Sequence, residues 1–250
     1  MEIKWIGFDL DDTLFNGTLL VEKARQASIR MMIEYGLPVP EKYAIRLLNE
    51  IVIEFGTNSE NHLDNLMLRL KNESTFPISS EINVNKLVAA GVMGYHREKV
   101  KHFKLFKDVI KTLEKLRELK IKTAIITDGS PKKQYEKILR LKLENLVDEI
   151  IISDEVAVRK PNPNLFSYFL QKYNCKPNEF IYVGDRLERD IEPANKSGII
   201  SVLVHRGTKY DPKKTKIRSN IKPKYHINSL YELFSIIKME ESEESEQSKN

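Results

Sequence analysis

Cysteine is nearly absent: the 250 residues contain one, Cys175. That excludes an internal disulfide and any zinc site built on cysteines, and it fits a reducing compartment, with the cytoplasm as the expectation. No stretch approaches the roughly 20 apolar residues that cross a bilayer. The opening MEIKWIGFDLDD also lacks the apolar core of an export signal. No membrane role is expected. G-x-S-x-G, H-E-x-x-H and G-x-x-x-x-G-K-[ST] are missing too, so serine-hydrolase, zinc-peptidase and P-loop chemistry find no support. His62, His96, His102, His205 and His226 are scattered and read as ordinary surface or core positions.

What is present is charge. Hydrophobic residues make up 41% and charged residues 31%, a balance that fits a globular chain with a charge-rich surface. The net charge of +5 is uneven, because the last eleven residues, EESEESEQSKN, carry −4 and leave +9 elsewhere. Residues 239–250 are expected to be an acidic, disordered tail. The segment 205–224, HRGTKYDPKKTKIRSNIKPK, holds eight Lys or Arg and one Asp. Without an aromatic stacking pattern it reads as a solvated loop, and no nucleic-acid partner is expected.

Short β-branched runs recur at IKTAIIT (121–127), EIIIS (149–153), FIYVG (180–184) and IISVLV (199–204). They alternate with helix-like stretches, as buried parallel strands do. In DVIKTLEKLRELK the residues Val109, Leu113 and Leu116 share a helical face, and in QYEKILRLKL the expected face is Tyr135, Ile138 and Leu139. YHINSLYELFSII reads as a brief strand followed by a closing helix. The fold class is α/β, a doubly wound, Rossmann-like parallel sheet. Residues 19–102 break the rhythm, with helical spacing and no convincing strand, so they read as an all-helical insertion. The expected division is a core of 1–18 and 103–238 with a cap of 19–102. In open α/β sheets ligands bind beyond the carboxyl ends of the strands, so a cap inserted after the first strand is expected to roof the site.

The first strand ends in FDLDDTLF (residues 8–15). Strand alternation sends Asp9 and Asp11 to one side. Two like charges about 4 Å apart repel by roughly 4 kcal/mol at an effective dielectric near 20, so such a pair shifts its pKa values or recruits a cation. Asp12 reads as a cap of the following turn. Other strands end in equally polar fashion. Thr127, Asp128 and Gly129 close one on a hydroxyl and a turn whose backbone N–H groups suit an anion. Lys160 stands before two prolines in VRKPNP, and YVGDRLERD ends a strand on Asp185 with Asp190 five residues on.

This ordered set resembles the haloacid dehalogenase superfamily, whose signature is D-x-D-x-T, then Ser or Thr, then Lys, then G-D with a further Asp. Here the signature stands as Asp9-Leu10-Asp11-Asp12-Thr13, Thr127, Lys160, and Gly184-Asp185 with Asp190. Asp128 departs from it, since many relatives carry Asn there. The resemblance implies an enzyme in which Asp9 attacks phosphorus and Asp11 acts as general acid, then base. It places Thr127, Asp128 and Lys160 about the phosphate. It makes Asp9, Asp11 through its backbone carbonyl, Asp185 and Asp190 the holders of Mg²⁺. Asp9, Asp11, Asp185 and Asp190 against Lys160 leave −3, which Mg²⁺ brings to −1. The implied partner is a small phosphorylated metabolite, and the implied activity is phosphate-monoester hydrolysis. A phosphomutase of the same superfamily and a non-catalytic phosphate-binding module are the alternatives. ITDGS, RKPNPNLF and GDRLERDIEPA are most similar to archaeal-type members acting on glyceraldehyde 3-phosphate, and similar also to phosphoglycolate phosphatases. Arg25, His96 and Arg97 are cap candidates for selecting the leaving group.

Overall fold

The computed structural model describes residues 2–57, 59–72, 79, 81–209, 211 and 220–247. Six strands form one sheet: β1 (Trp5–Phe8), β2 (Lys122–Thr127), β3 (Glu149–Ile152), β4 (Phe180–Gly184), β5 (Ile200–Val204) and β6 (Tyr225–Ile227). Their order is β3-β2-β1-β4-β5-β6, and every neighbouring pair is parallel. From β1 the chain steps outward through β2 and β3, then crosses back to lay β4, β5 and β6 on the other side. With right-handed crossovers that reversal puts helices on both faces of the sheet. The reversal occurs beside β1, between β1 and β4, where an open sheet leaves a crevice at its carboxyl edge.

The chain divides into two compact units, residues 1–18 with 104–250, and residues 19–103. In the first, both faces of the sheet are covered, so its strands read as continuous apolar runs rather than as alternating ones. Trp5, Phe166, Phe169, Phe180 and Tyr182 lie in one buried cluster, with Trp5 edge-on to Phe169 and Phe169 stacked on Phe180. Helix α1 (Gly17–Glu34) leads into the second unit, which continues with α2 (Glu41–Phe55), α3 (His62–Asn72) and α4 (Val84–Lys101). Leu47, Leu48 and Ile51 of α2 recur at helical spacing and pack with Leu66, Met67 and Leu70 of α3, Leu87 of α4, and Ile29 and Met32 of α1.

The first unit resumes with α5 (Val109–Glu118), α6 (Pro131–Arg140), α7 (Asn164–Lys172), α8 (Glu192–Lys196) and α9 (Leu233–Gln247). Val109, Leu113 and Leu116 are the buried face of α5, as their spacing predicts. Helix α6 differs: its buried residues are Gln134 and Ile138, while Tyr135 and Leu139 are exposed. A second correction concerns the acidic tail. Residues 239–247 are helical rather than disordered, because Glu240 is buried and its carboxylate accepts hydrogen bonds from Lys224 and Tyr225. The remaining tail residues, 248–250, lie outside the described ones.

Candidate active site

Three strand ends, those of β1, β2 and β4, and the loop that carries Lys160 assemble the site. The ladder between β1 and β4 extends one residue past β1, where the Asp9 amide donates to Val183 O at 2.9 Å. That fixes Asp9 with its carboxylate buried. Lys160 reaches in from the loop before α7 and is 3% exposed, too buried to carry a charge without partners. Its ammonium donates to Asp9 Oδ1 at 2.6 Å, Asp190 Oδ1 at 2.7 Å and the Tyr182 hydroxyl at 2.9 Å, which engages all three of its donors. Tyr182 in turn donates to Ile126 O. Asp190 sits on a single π-helical turn, Leu187–Ile191, a distortion frequent at functional sites. Its second oxygen accepts from the Arg186 amide at 3.0 Å. Residue 184 must be glycine, since a Cβ there would collide with the Asp190 side chain.

Asp9, Asp185 and Asp190 each offer a carboxylate oxygen to one cluster, all within 4.8 Å of one another and all buried. Neither oxygen of Asp185 meets a hydrogen-bond donor among the described residues. Burial pushes the Asp185 carboxyl well above the usual range, and the neighbouring Asp190 and Asp9 add to the rise. Burial likewise raises Asp9 to about 7, against the pull of Lys160. Such a group of orphaned, mutually repelling oxygens fits a hard divalent cation, whose preferred ligands are oxygens.

The Asp11 carboxylate stands outside this cluster. It accepts two hydrogen bonds from Lys137 of α6, at 2.8 and 2.6 Å, and one from Gln134 at 3.3 Å. A Cβ on residue 17 would strike that carboxylate, so Gly17 leaves it room at the start of α1. Asp12, with a positive φ of 62°, caps α1 by accepting from the Thr18 amide, as its expected capping role requires.

Thr127 Oγ1, at the end of β2, accepts from Gln134 Nε2 at 2.7 Å. The following turn differs from expectation, because the Gly129 amide donates to Ser153 Oγ. Asp128 Oδ1 accepts from the Lys160 backbone amide at 3.0 Å, and Arg189 lies 3.9 Å from its other oxygen. The Asp128 carboxylate thus anchors the loop that carries Lys160.

Sequence reading missed Gln134, Lys137 and Tyr182. The signal for the first two was a polar pair three apart on the helix that starts directly after Thr127-Asp128-Gly129. The basic segment 205–224 is also not wholly solvated. The Arg206 side chain is buried, donates to Asp108 Oδ2 at 2.8 Å and to Thr13 O at 3.0 Å, and so braces the loop after Asp9. Residues 210 and 212–219 of that segment lie outside the described ones.

The strand order, the buried carboxylates and the lysine among them define an α/β protein with a buried acidic site at the ends of its strands. The chain matches the haloacid dehalogenase-like hydrolase family over residues 6–204 and belongs to it. It is 39% identical to a glyceraldehyde 3-phosphate phosphatase of Methanopyrus kandleri over 94% of this chain and 97% of that one. It is 42% identical to one of Pyrococcus furiosus over 80% of each. Among solved structures, a HAD phosphatase from Thermococcus onnurineus has a TM-score of 0.61 at 24% identity, covering 94% of this chain and 97% of that one. A Bacillus subtilis HAD-hydrolase bound to magnesium has a TM-score of 0.65 at 18% identity, covering 95% and 99%. The protein is accordingly a phosphatase within this family. No described helix is long and apolar enough to cross a membrane.

Proposed function

We propose that the protein hydrolyses a small phosphorylated metabolite with Mg²⁺, through a phosphoryl group carried on Asp9, and that glyceraldehyde 3-phosphate is the substrate. The observation that carries this is the buried trio Asp9, Asp185 and Asp190 around Lys160, with both Asp185 oxygens lacking a donor. The names of the relatives, 39% and 42% identical over most of the chain, support the substrate.

Asp9, Asp185 and Asp190 would hold the ion, with the backbone carbonyl of Asp11 completing the protein's share. Bound there, a divalent ion supplies Lewis-acid polarisation of a phosphoryl oxygen and offsets negative charge. Asp9, Asp11, Asp185 and Asp190 against Lys160 and Lys137 leave −2, one unit less negative than expected from sequence because Lys137 pairs with Asp11. A divalent ion brings that balance to zero, a setting that a phosphate dianion can enter.

Asp9 attacks phosphorus in line, forming an acyl phosphate and releasing the alkoxide. Asp11, entering the first step protonated, gives its proton to that leaving oxygen, and the carboxylate so formed then takes a proton from the water that cleaves the acyl phosphate. Gln134 and Lys137 hold the Asp11 carboxyl group for both steps. Thr127 offers its hydroxyl to a non-bridging phosphate oxygen, where charge accumulates. Lys160 keeps Asp9 and Asp190 apart from each other's full repulsion and lends positive charge beside the phosphate. Asp128 serves by anchoring Lys160, since a carboxylate facing phosphate would repel it.

The test is inorganic phosphate release from a panel of small phosphomonoesters, with and without Mg²⁺, by wild type and Asp9→Asn. Metal-dependent release that prefers compact three-carbon esters, abolished in the folded variant, is expected. Isomer formation without phosphate release, or normal turnover by Asp9→Asn, refutes the reading.

A further inference from the structure

Lys137 is the charged group nearest to Asp11, and the Asp11 carboxylate holds its ammonium through both oxygens, at 2.8 and 2.6 Å. The Lys137 side chain is 19% exposed. Gln134, one helical turn earlier on α6, holds the same carboxylate. Its Nε2 donates its two hydrogens chiefly to Thr127 Oγ1 at 2.7 Å and Asp128 O at 2.8 Å, and shares them with Asp11 Oδ2 at 3.3 Å. The pair Asp11–Lys137 therefore keeps a set position relative to Thr127 and the phosphate end of the site.

A carboxyl group that protonates a leaving alkoxide must come within hydrogen-bond reach of the ester oxygen. Lys137 stands one hydrogen bond further on, so its nitrogen falls roughly 4–5.5 Å from that oxygen. An oxygen on the next carbon of the leaving group lies in the space between. Lysine carries three N–H donors, and two of Lys137's are directed at Asp11.

We propose that Lys137 determines specificity: its third donor binds an oxygen on the carbon adjacent to the ester carbon, so the site favours phosphomonoesters with a vicinal hydroxyl, carbonyl or carboxylate. The inference deepens the phosphatase reading and rests on it. It assigns part of leaving-group selection to α6, where Tyr135 and Leu139 face outward and the polar residues of the same helix face the site. A vicinal oxygen adds one hydrogen bond from a charged donor, an interaction absent with a plain alkyl ester.

The test compares glycerol 1-phosphate with n-propyl phosphate, which differ in oxygens on the carbons beyond the ester carbon, in the Mg²⁺-loaded enzyme. Wild type is expected to prefer glycerol 1-phosphate. Lys137→Met is expected to cut that preference, the ratio of kcat/KM values, by about tenfold or more, the scale of one charge-assisted hydrogen bond. The loss should fall mainly on KM for glycerol 1-phosphate. Lys137→Arg should keep most of the preference, and Lys137→Gln, which retains a donor without charge, should lie between. Near-UV circular dichroism checks that each variant is folded, and Lys137→Gln carries the comparison if the Met variant is not. An unchanged preference, with both esters slowed equally, overturns the inference and leaves Lys137 as a brace for Asp11. No preference in wild type overturns it as well. Because Asp9→Asn tests the phosphatase reading separately, a dead Asp9 variant beside an unchanged preference refutes this inference alone.

Discussion

Asp185→Asn should make the metal-free protein more stable while destroying its response to Mg²⁺. The reacting oxygens of Asp9, Asp185 and Asp190 lie within 4.8 Å of one another. At that separation two unit charges repel by about 3.5 kcal/mol at an effective dielectric of 20. Lys160 offsets this for Asp9 and Asp190, but Asp185 meets no donor among the described residues. Protonation limits the cost, because burial and the two neighbouring carboxylates push this carboxyl well up. Asparagine keeps the shape and removes the charge, for a gain of about 1–3 kcal/mol without metal. For a chain of this size each kcal/mol moves Tm by roughly 2–4 °C. Calorimetry in EDTA and in Mg²⁺ provides the assay. Wild type should gain about 2.7 kcal/mol at a metal concentration one hundred times Kd, and the variant close to nothing. A variant less stable than wild type in EDTA, or one that gains as much from Mg²⁺, would sink the assignment of Asp185 to the ion.

Asp9 yields a pH prediction. Its folded pKa of about 7 exceeds the unfolded value of 3.8, so the metal-free protein is most stable below pH 4 with respect to this group and loses that contribution as pH rises to about 7. The loss is roughly 4 kcal/mol relative to Asp9→Asn; urea midpoints of the two proteins that run parallel across this window would contradict it. Arg206→Met should cost about 3–5 kcal/mol in urea denaturation, because it leaves Asp108 buried without its cation. It should also lower kcat, since Thr13 O loses its donor. Unchanged stability would remove Arg206 as a brace.

The sheet was legible because a strand covered on both faces must be apolar throughout, and Ile125, Ile126, Ile181 and Val202 announce that covering. The acidic ends were legible for the converse reason: several carboxylates gathered at neighbouring strand ends repel one another, a cost that a fold alone does not require. Helix α6 was misread because the apolar pattern of Tyr135, Ile138 and Leu139 assumes that buried means apolar. Gln134 is buried for its hydrogen bonds to Thr127, Asp128 and Asp11, and a periodicity argument cannot see such partners. Tyr182 hid within FIYVG in the same way, a core residue whose hydroxyl meets Lys160. The helical tail escaped prediction because composition weighs every Glu alike, whereas Glu240 has specific partners in Lys224 and Tyr225.

The central position of β1 carries a consequence for biosynthesis. Its register partners begin at Lys122 on one side and Phe180 on the other, so a ribosome adding about 5–20 residues per second leaves this acidic segment without its second neighbour for roughly 10–30 s. The contiguous helical unit of residues 19–103 is fully synthesised well before that. During that interval the nascent chain exposes an unpaired apolar strand edge beside three carboxylates, and those charges guard it against premature association.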